Sequence, residues 1–157
     1  MQKKRYPKKT DNHPTVIKKD EFENHSGKMR IIPLGGLEEV GKNIMAIEYG
    51  RDIIVIDCGM SFAGPDMLGV DYIVPDVTYL ARRKRDIKGI VFTHGHLDHI
   101  GAIQYILPQL GNPPMYATKL TAGLIKNRLR ILNGLKIGFL ENFTDNFWIK
   151  EFNEKDK

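Results

Sequence analysis

The chain has 157 residues, with 24 Lys and Arg against 19 Asp and Glu, five His, one Cys and 41% hydrophobic residues, an ordinary globular composition with a basic lean. This length suits one domain, and the single cysteine excludes a disulfide-stapled scaffold and a thiolate zinc cage. No apolar run reaches the ~18 residues of a membrane span, and no apolar stretch follows the basic start MQKKRYPKKTDNHPT as it would in a secretory signal; the expected location is cytoplasmic, with no membrane partner.

Residues 1–26 carry seven basic side chains (Lys3, Lys4, Arg5, Lys8, Lys9, Lys18, Lys19) against four acidic ones, which places most of the net charge of +5 there. With almost no apolar clustering to offset the cost of ordering, the segment reads as a disordered basic tail. It serves either as an electrostatic arm for nucleic acid or as a solvated extension, and charge alone leaves both open.

From Met29 the texture changes to short apolar runs broken by glycine. Met29–Leu34, Ile44–Tyr49 and Ile53–Ile56 read as consecutive strands of an antiparallel meander, joined by a loop from Gly35 to Gly41 and a turn at Gly50-Arg51-Asp52. Cys58–Asp76, with Gly64, Pro65, Gly69 and Pro75, reads as an ordered loop, and Thr78–Arg83 as a short helix headed by Thr78 or Asp76. Gly89–Thr93 is a buried strand. Ile100, Ile103, Tyr105, Ile106, Leu107 and Leu110 then recur at helical spacing until Gly111 and Pro113-Pro114. Met115–Ala117 is a further strand, and Leu120–Leu132 a helix with Leu120, Leu124, Ile125 and Leu129 on its apolar side. The fold class expected is α/β (α+β): an antiparallel meander followed by strand, helix, strand, helix.

His94, His96, Asp98 and His99 fall within six residues at the end of a strand. Residues two apart on an extended segment point the same way, so His94 and His96 can hold one metal, while the following turn aims Asp98 and His99 at a second. Imidazoles with a carboxylate suit zinc or manganese better than calcium. Two such ions about 3.5–4 Å apart share a hydroxide able to attack a phosphoryl or acyl centre. The alternative is a set of polar residues that merely cap a helix, but composition alone gives the pattern a chance on the order of 10⁻⁴.

His94-Gly95-His96-Leu97-Asp98-His99-Ile100-Gly101 resembles the signature of the metallo-β-lactamase superfamily, and Asp57 matches the upstream aspartate of that fold. The resemblance implies that Asp57 orients the metal-binding loop through hydrogen bonds; otherwise it is a strand-end turn residue. Leu34-Gly35-Gly36-Leu37-Glu38-Glu39-Val40-Gly41-Lys42-Asn43, Ile56-Asp57-Cys58-Gly59, Leu68 to Asp76 and Phe92-Thr93-His94-Gly95-His96 resemble the amino-terminal part of bacterial ribonuclease J, of the β-CASP ribonuclease family, over roughly residues 29–130. Leu97 stands where that family often has an acidic residue and Ala102 where it has a second glycine; neither is a ligand position. The resemblance implies a partial metallo-β-lactamase domain over 27–140 and a zinc-dependent RNA phosphodiester hydrolase, acting internally or from the 5′ end through metal-bound hydroxide. His94 and His96 would bind one zinc, Asp98 and His99 the other, with Asp98 also orienting the hydroxide, and the loop from Gly35 to Asn43 would lie close to the cleft.

The family completes its shell with later histidines and an aspartate, whereas no histidine follows His99 here and the only later aspartates are Asp145 and Asp156. Glu141–Lys157 is an atypical tail in which Phe143, Phe147 and Phe152 form a short helical stripe covering an edge, or stack on single-stranded RNA, or mark the end of an interrupted gene. A half-built fold leaves one apolar sheet face uncovered, so self-association or a second polypeptide is expected to complete it. The rival functions are a hydrolase of small thioesters or lactones with the same metal motif, and a non-catalytic fragment that binds RNA or a partner.

Overall fold

The computed structural model describes residues 27–134 and 149–152. The basic tail of residues 1–26, together with Phe143, Phe147 and Trp148, lies outside the described residues.

Three strands open the chain: β1 (Met29–Gly35), β2 (Ile44–Tyr49) and β3 (Asp52–Ile56). They pair antiparallel in sequence order, with Ile31 opposite Ile47 and Ile47 opposite Ile54. This is the expected meander. Pro33, which has no N–H to donate, sits in β1 at the sheet edge, and the register slips between it and Gly35. The sheet continues in parallel through β6 (Ile87–Val91), β7 (Met115–Thr118) and β8 (Ile149–Phe152), giving the order β1-β2-β3-β6-β7-β8. Phe152 is therefore in a strand, not on a helical stripe: Thr118 of β7 pairs with it, and the edge of β7 supplies backbone partners that a helix would forgo.

Two short strands, β4 (Ser61–Phe62) and β5 (Tyr72–Ile73), pair with each other inside the segment expected to be loop throughout. Helix α1 (Thr78–Arg82) follows with Val77 at its N-cap, not Thr78 or Asp76; Asp76, one residue earlier, accepts a hydrogen bond from the Thr78 N–H at 2.8 Å. Residues 97–110 hold two short helices, α2 (Leu97–Ile100) and α3 (Ile103–Ile106), where the spacing suggested continuous helix. The break lies at Ala102, whose N–H donates to the Cys58 carbonyl at 2.9 Å and so leaves the helical ladder. The burial read from the spacing holds, since Ile100, Ile103, Ile106, Leu107 and Leu110 are all buried.

Helix α4 (Lys119–Gly134) buries Ile125 and Leu129 of the apolar side expected of it, but not Leu120 and Leu124. Thr121, Ala122, Ile125 and Leu129 are buried, whereas Leu120 is 76% and Leu124 43% exposed. The small side chains of Thr121 and Ala122 allow close approach to β7 and α3, and Leu120 and Leu124 lie off that line.

Alternation along the strands separates two faces. Ile44, Ala46, Ile53, Val55, Ile90, Met115 and Ala117 point into the core against the helices. Glu48 is also on that face, and this buried charge is matched by Arg83 Nη1 at 2.6 Å, by the Tyr79 hydroxyl and by Arg30 at 3.5 Å, which ties α1 to β2. Met29, Ile31 and Ile54 stand on the opposite face with 66%, 59% and 44% exposure. No described element covers that face.

Candidate metal centre

The residues singled out in the sequence meet at the C-terminal end of β6, where the chain leaves the sheet through Phe92-Thr93 and enters the loop before α2. Three carbonyls of α2 are held from outside it: Leu97 O accepts from Met60 N at 3.2 Å and His99 O from Cys58 N at 2.7 Å, both donors in the segment after β3, and Asp98 O accepts from Asn43 N of the loop before β2 at 3.1 Å. The segment after β3 must pass very close to make these bonds. Gly59 permits it, because a Cβ there would lie 1.7 Å from Asp98 O.

Asp57 organises the polar side of the centre. It is buried, 4% exposed, and holds a left-handed backbone conformation (φ +60°) that Asp tolerates better than most residues. Its Oδ1 accepts from the Thr93 N–H at 2.8 Å; its Oδ2 accepts from Thr93 Oγ1 and from His99 Nδ1, each at 2.8 Å. Thr93 Oγ1, its own proton given to Asp57, is placed to accept from His94 Nδ1 at 3.1 Å. One carboxylate thus orients two imidazoles, directly for His99 and through Thr93 for His94, and in the tautomer with the proton on Nδ1 their Nε2 atoms are the metal-binding ones. The same proton order lets His96 Nδ1 donate to His94 Nε2 at 3.1 Å.

The three imidazoles form a cluster. Ring centroids of His94 and His99 are 4.0 Å apart and those of His94 and His96 4.6 Å. His99 Nε2 faces Asp98 Oδ2 at 3.3 Å. Asn43, from the glycine loop after β1, reaches into this notch: its amide nitrogen donates to Asp98 O at 3.0 Å and Asp98 Oδ2 at 3.2 Å, and lies 3.3 Å from His99 Nε2. The glycine loop therefore does border the cluster. Gly36 accommodates the return of Asn43, whose Oδ1 would be 2.5 Å from a Cβ at that position.

The donor chemistry suits a borderline divalent ion, nitrogen with carboxylate oxygen. The number of donors does not fill a shell: among the described residues, no group of three or more His, Cys, Asp or Glu side chains is placed to hold one ion. The donors stand as two pairs, His94 with His96 and Asp98 with His99. Thr93 and Asn43 were not singled out for roles by the sequence. Both stand in the motifs that carry the resemblance, and Asn43 ends the loop expected near the cleft, but nothing local indicated the contacts they make, since Asn43 is 55 residues from Asp98.

Among the described residues no helix is long and apolar enough to cross a membrane. The sequence matches the metallo-beta-lactamase superfamily over residues 37–154. Ribonuclease J of Mycoplasma pneumoniae is 41% identical over 125 residues, which are 78% of this chain and 22% of that protein. Ribonuclease J of Synechocystis is 46% identical over 101 residues, 64% of this chain and 16% of that one. Ribonuclease J 2 of Staphylococcus aureus is 43% identical over 105 residues, 67% and 19% respectively. The chain spans about a fifth of the length of these relatives. Among solved structures, the Rm3 metallo-beta-lactamase aligns with a TM-score of 0.38 at 20% identity, over 66% of this chain and 37% of that one.

Proposed function

Since the chain belongs to the metallo-beta-lactamase superfamily, we propose that it is the metal-binding module of a ribonuclease J-like hydrolase that cleaves RNA phosphodiester bonds. The observation that carries this reading is the set of hydrogen bonds by which Asp57 holds His99 directly and His94 through Thr93. His94 and His96 would hold one zinc ion, and Asp98 and His99 a second. Bound there, the ions would supply Lewis acidity toward a phosphoryl oxygen and acidify water. The protein's own part is to orient the imidazoles, hold the Asp98 carboxylate by a hydrogen bond from the Asn43 amide and close the back of the site with Cys58 and Gly59. The reading places the protein in the cytoplasm, where its substrate is found and where the unpaired, buried Cys58 stays reduced.

Two donors per ion fall short of the three protein donors of a catalytic zinc site. The remaining ligands would come from outside the described residues, a second copy or another polypeptide among the sources, seated on the sheet face that no described element covers. The test joins zinc stoichiometry, by elemental mass spectrometry after mild chelation, to an RNA cleavage assay with His96→Ala as control. Close to two zinc ions per chain and cleavage lost in His96→Ala are the expected results; equal cleavage by both proteins would remove catalysis from this site.

The exposed apolar face of Met29, Ile31 and Ile54 favours a second reading, a non-catalytic module that binds RNA or a partner protein. It predicts salt-sensitive RNA binding that survives removal of both His94 and His96.

A further inference from the structure

A pocket of about 360 Å³ opens beside the histidine loop, lined by Leu97 of α2, Gln104 and Tyr105 of α3, and Leu124, Asn127 and Arg128 of α4. Its volume is that of a small-ligand site, roughly 300–1,000 Å³. Two features point to the chemistry of its occupant. The first is charge. Arg128 is half-buried, and among the described residues its partners are Gln104 Oε1, 2.8 Å from Nε, and Met60 Sδ, 3.6 Å from Nη2; no carboxylate meets it. Burial pulls its pKa down, against the opposing influence of Tyr105 and Tyr72. A guanidinium withdrawn from water without an anion is costly, and its planar fork matches the oxygens of a phosphate.

The second feature is the wall. Leu97 and Leu124 are 40% and 43% exposed, an apolar surface beside a cation. Tyr105 is held in place by stacking on Tyr72, with centroids 5.2 Å apart and ring planes 25° from parallel, and by the hydrogen bond between the two hydroxyls. An anion anchor, two amides and a flat apolar wall within one pocket fit a nucleotide better than a bare anion.

We propose that this pocket is a nucleotide subsite, in which Arg128 takes a phosphate of an RNA strand and the attached base lies against Leu97 and Leu124 beside Tyr105. The choice of RNA rests on the function proposed above, but binding requires neither metal nor cleavage. Gly95, between His94 and His96, lines the same pocket, so a strand held there would pass directly beside the histidine cluster.

The test uses the full chain in the presence of chelator. Uridine 5′-monophosphate binding is followed by ³¹P line broadening and by saturation transfer to its base protons, with uridine and inorganic phosphate as separate probes and pentauridylate as competitor. The monophosphate is expected to bind more tightly than either fragment and to be displaced by pentauridylate. Arg128→Gln and Leu124→Glu are each expected to weaken it by about tenfold or more, and His96→Ala to leave it unchanged. Leu124→Glu alters an exposed helix position, so the test survives if Arg128→Gln fails to fold. Unchanged binding in Leu124→Glu and in a folded Arg128→Gln would overturn the proposal, as would loss in His96→Ala, which would assign the phosphate to the histidines, or failure of pentauridylate to compete. Absence of RNA cleavage with monophosphate binding retained would count against hydrolysis and leave the subsite standing.

Discussion

The carboxylate of Asp57 lies 2.8 Å from His99 Nδ1, and the two residues are 42 positions apart in the chain. Asp57 also accepts from the backbone and hydroxyl of Thr93, so a single buried side chain satisfies three donors. Replacing it with alanine leaves those donors unpaired, at roughly 1–3 kcal/mol for each that water does not reach. It also puts alanine in the left-handed conformation. We expect Asp57→Ala to lower the melting temperature by more than about 8 °C and the zinc affinity by about 10–100-fold, measured by calorimetry and by competition with a chromophoric chelator. An unchanged melting temperature would mean that Asp57 does not hold the loop.

Asn43 donates to Asp98 from the notch between Asp98 and His99. Asn43→Ala is expected to cost about 1 kcal/mol through loss of these bonds. Asn43→Asp sets one carboxylate against another and is expected to cost more in chelator, with stability restored by added zinc or manganese. Thermal melts of the variant with and without metal decide this; a melting point that metal leaves unmoved would contradict the arrangement.

Two glycines make opposite predictions. Gly59→Ala drives a Cβ to within 1.7 Å of Asp98 O, a backbone atom that cannot swing aside, and the variant is expected not to fold. Gly123 lies within α4 with open space where a Cβ would stand, and Gly123→Ala is expected to stabilise by about 0.4–1 kcal/mol. Urea titrations of the two variants beside the parent give both answers.

Cys58 is the only cysteine and is fully buried. Burial, with a smaller contribution from the neighbouring Asp57 carboxylate, pushes its thiol pKa up, so little thiolate forms at neutral pH. Labelling by a thiol reagent is expected to be slow in the native protein and complete on unfolding. Fast native labelling would show that the segment 57–60 opens readily.

Asp76 carries the pH dependence of the start of α1. Hydrogen bonds from the Thr78 hydroxyl and then the Thr78 N–H hold its carboxyl below the ordinary value of 3.8. A folded pKa lower than the unfolded one means stabilisation that is complete above the unfolded value and fades as pH falls through the folded one. Asp76→Asn is expected to destabilise at pH 7, because the neutral amide is a weaker acceptor for the two Thr78 donors than the carboxylate. The difference from the parent should shrink below about pH 4. A constant difference from pH 7 to pH 2 in denaturant titrations would show that ionisation is not involved.

What the sequence determined by itself was what local pattern controls. The meander followed from short apolar runs separated by glycine turns, and β2 was legible to the residue at Ile44–Tyr49. The clustering of His94, His96, Asp98 and His99 was legible because six consecutive residues, the loop after β6 and the first turn of α2, carry all four. The tertiary structure decided what distant segments impose. Ala102 gave its N–H to Cys58 and broke a helix that spacing alone would continue. Packing against β7 and α3 selected Thr121 and Ala122 over Leu120 and Leu124 as the inward side of α4, because side-chain volume at the contact outweighed hydrophobicity there. Thr93 and Asn43 acquired roles only when β6 and the glycine loop met the segment after β3. Periodicity reports which residues seek burial, whereas hydrogen-bond partners are fixed by which chain segments come to lie within about 3 Å of one another, and that is a property of the fold.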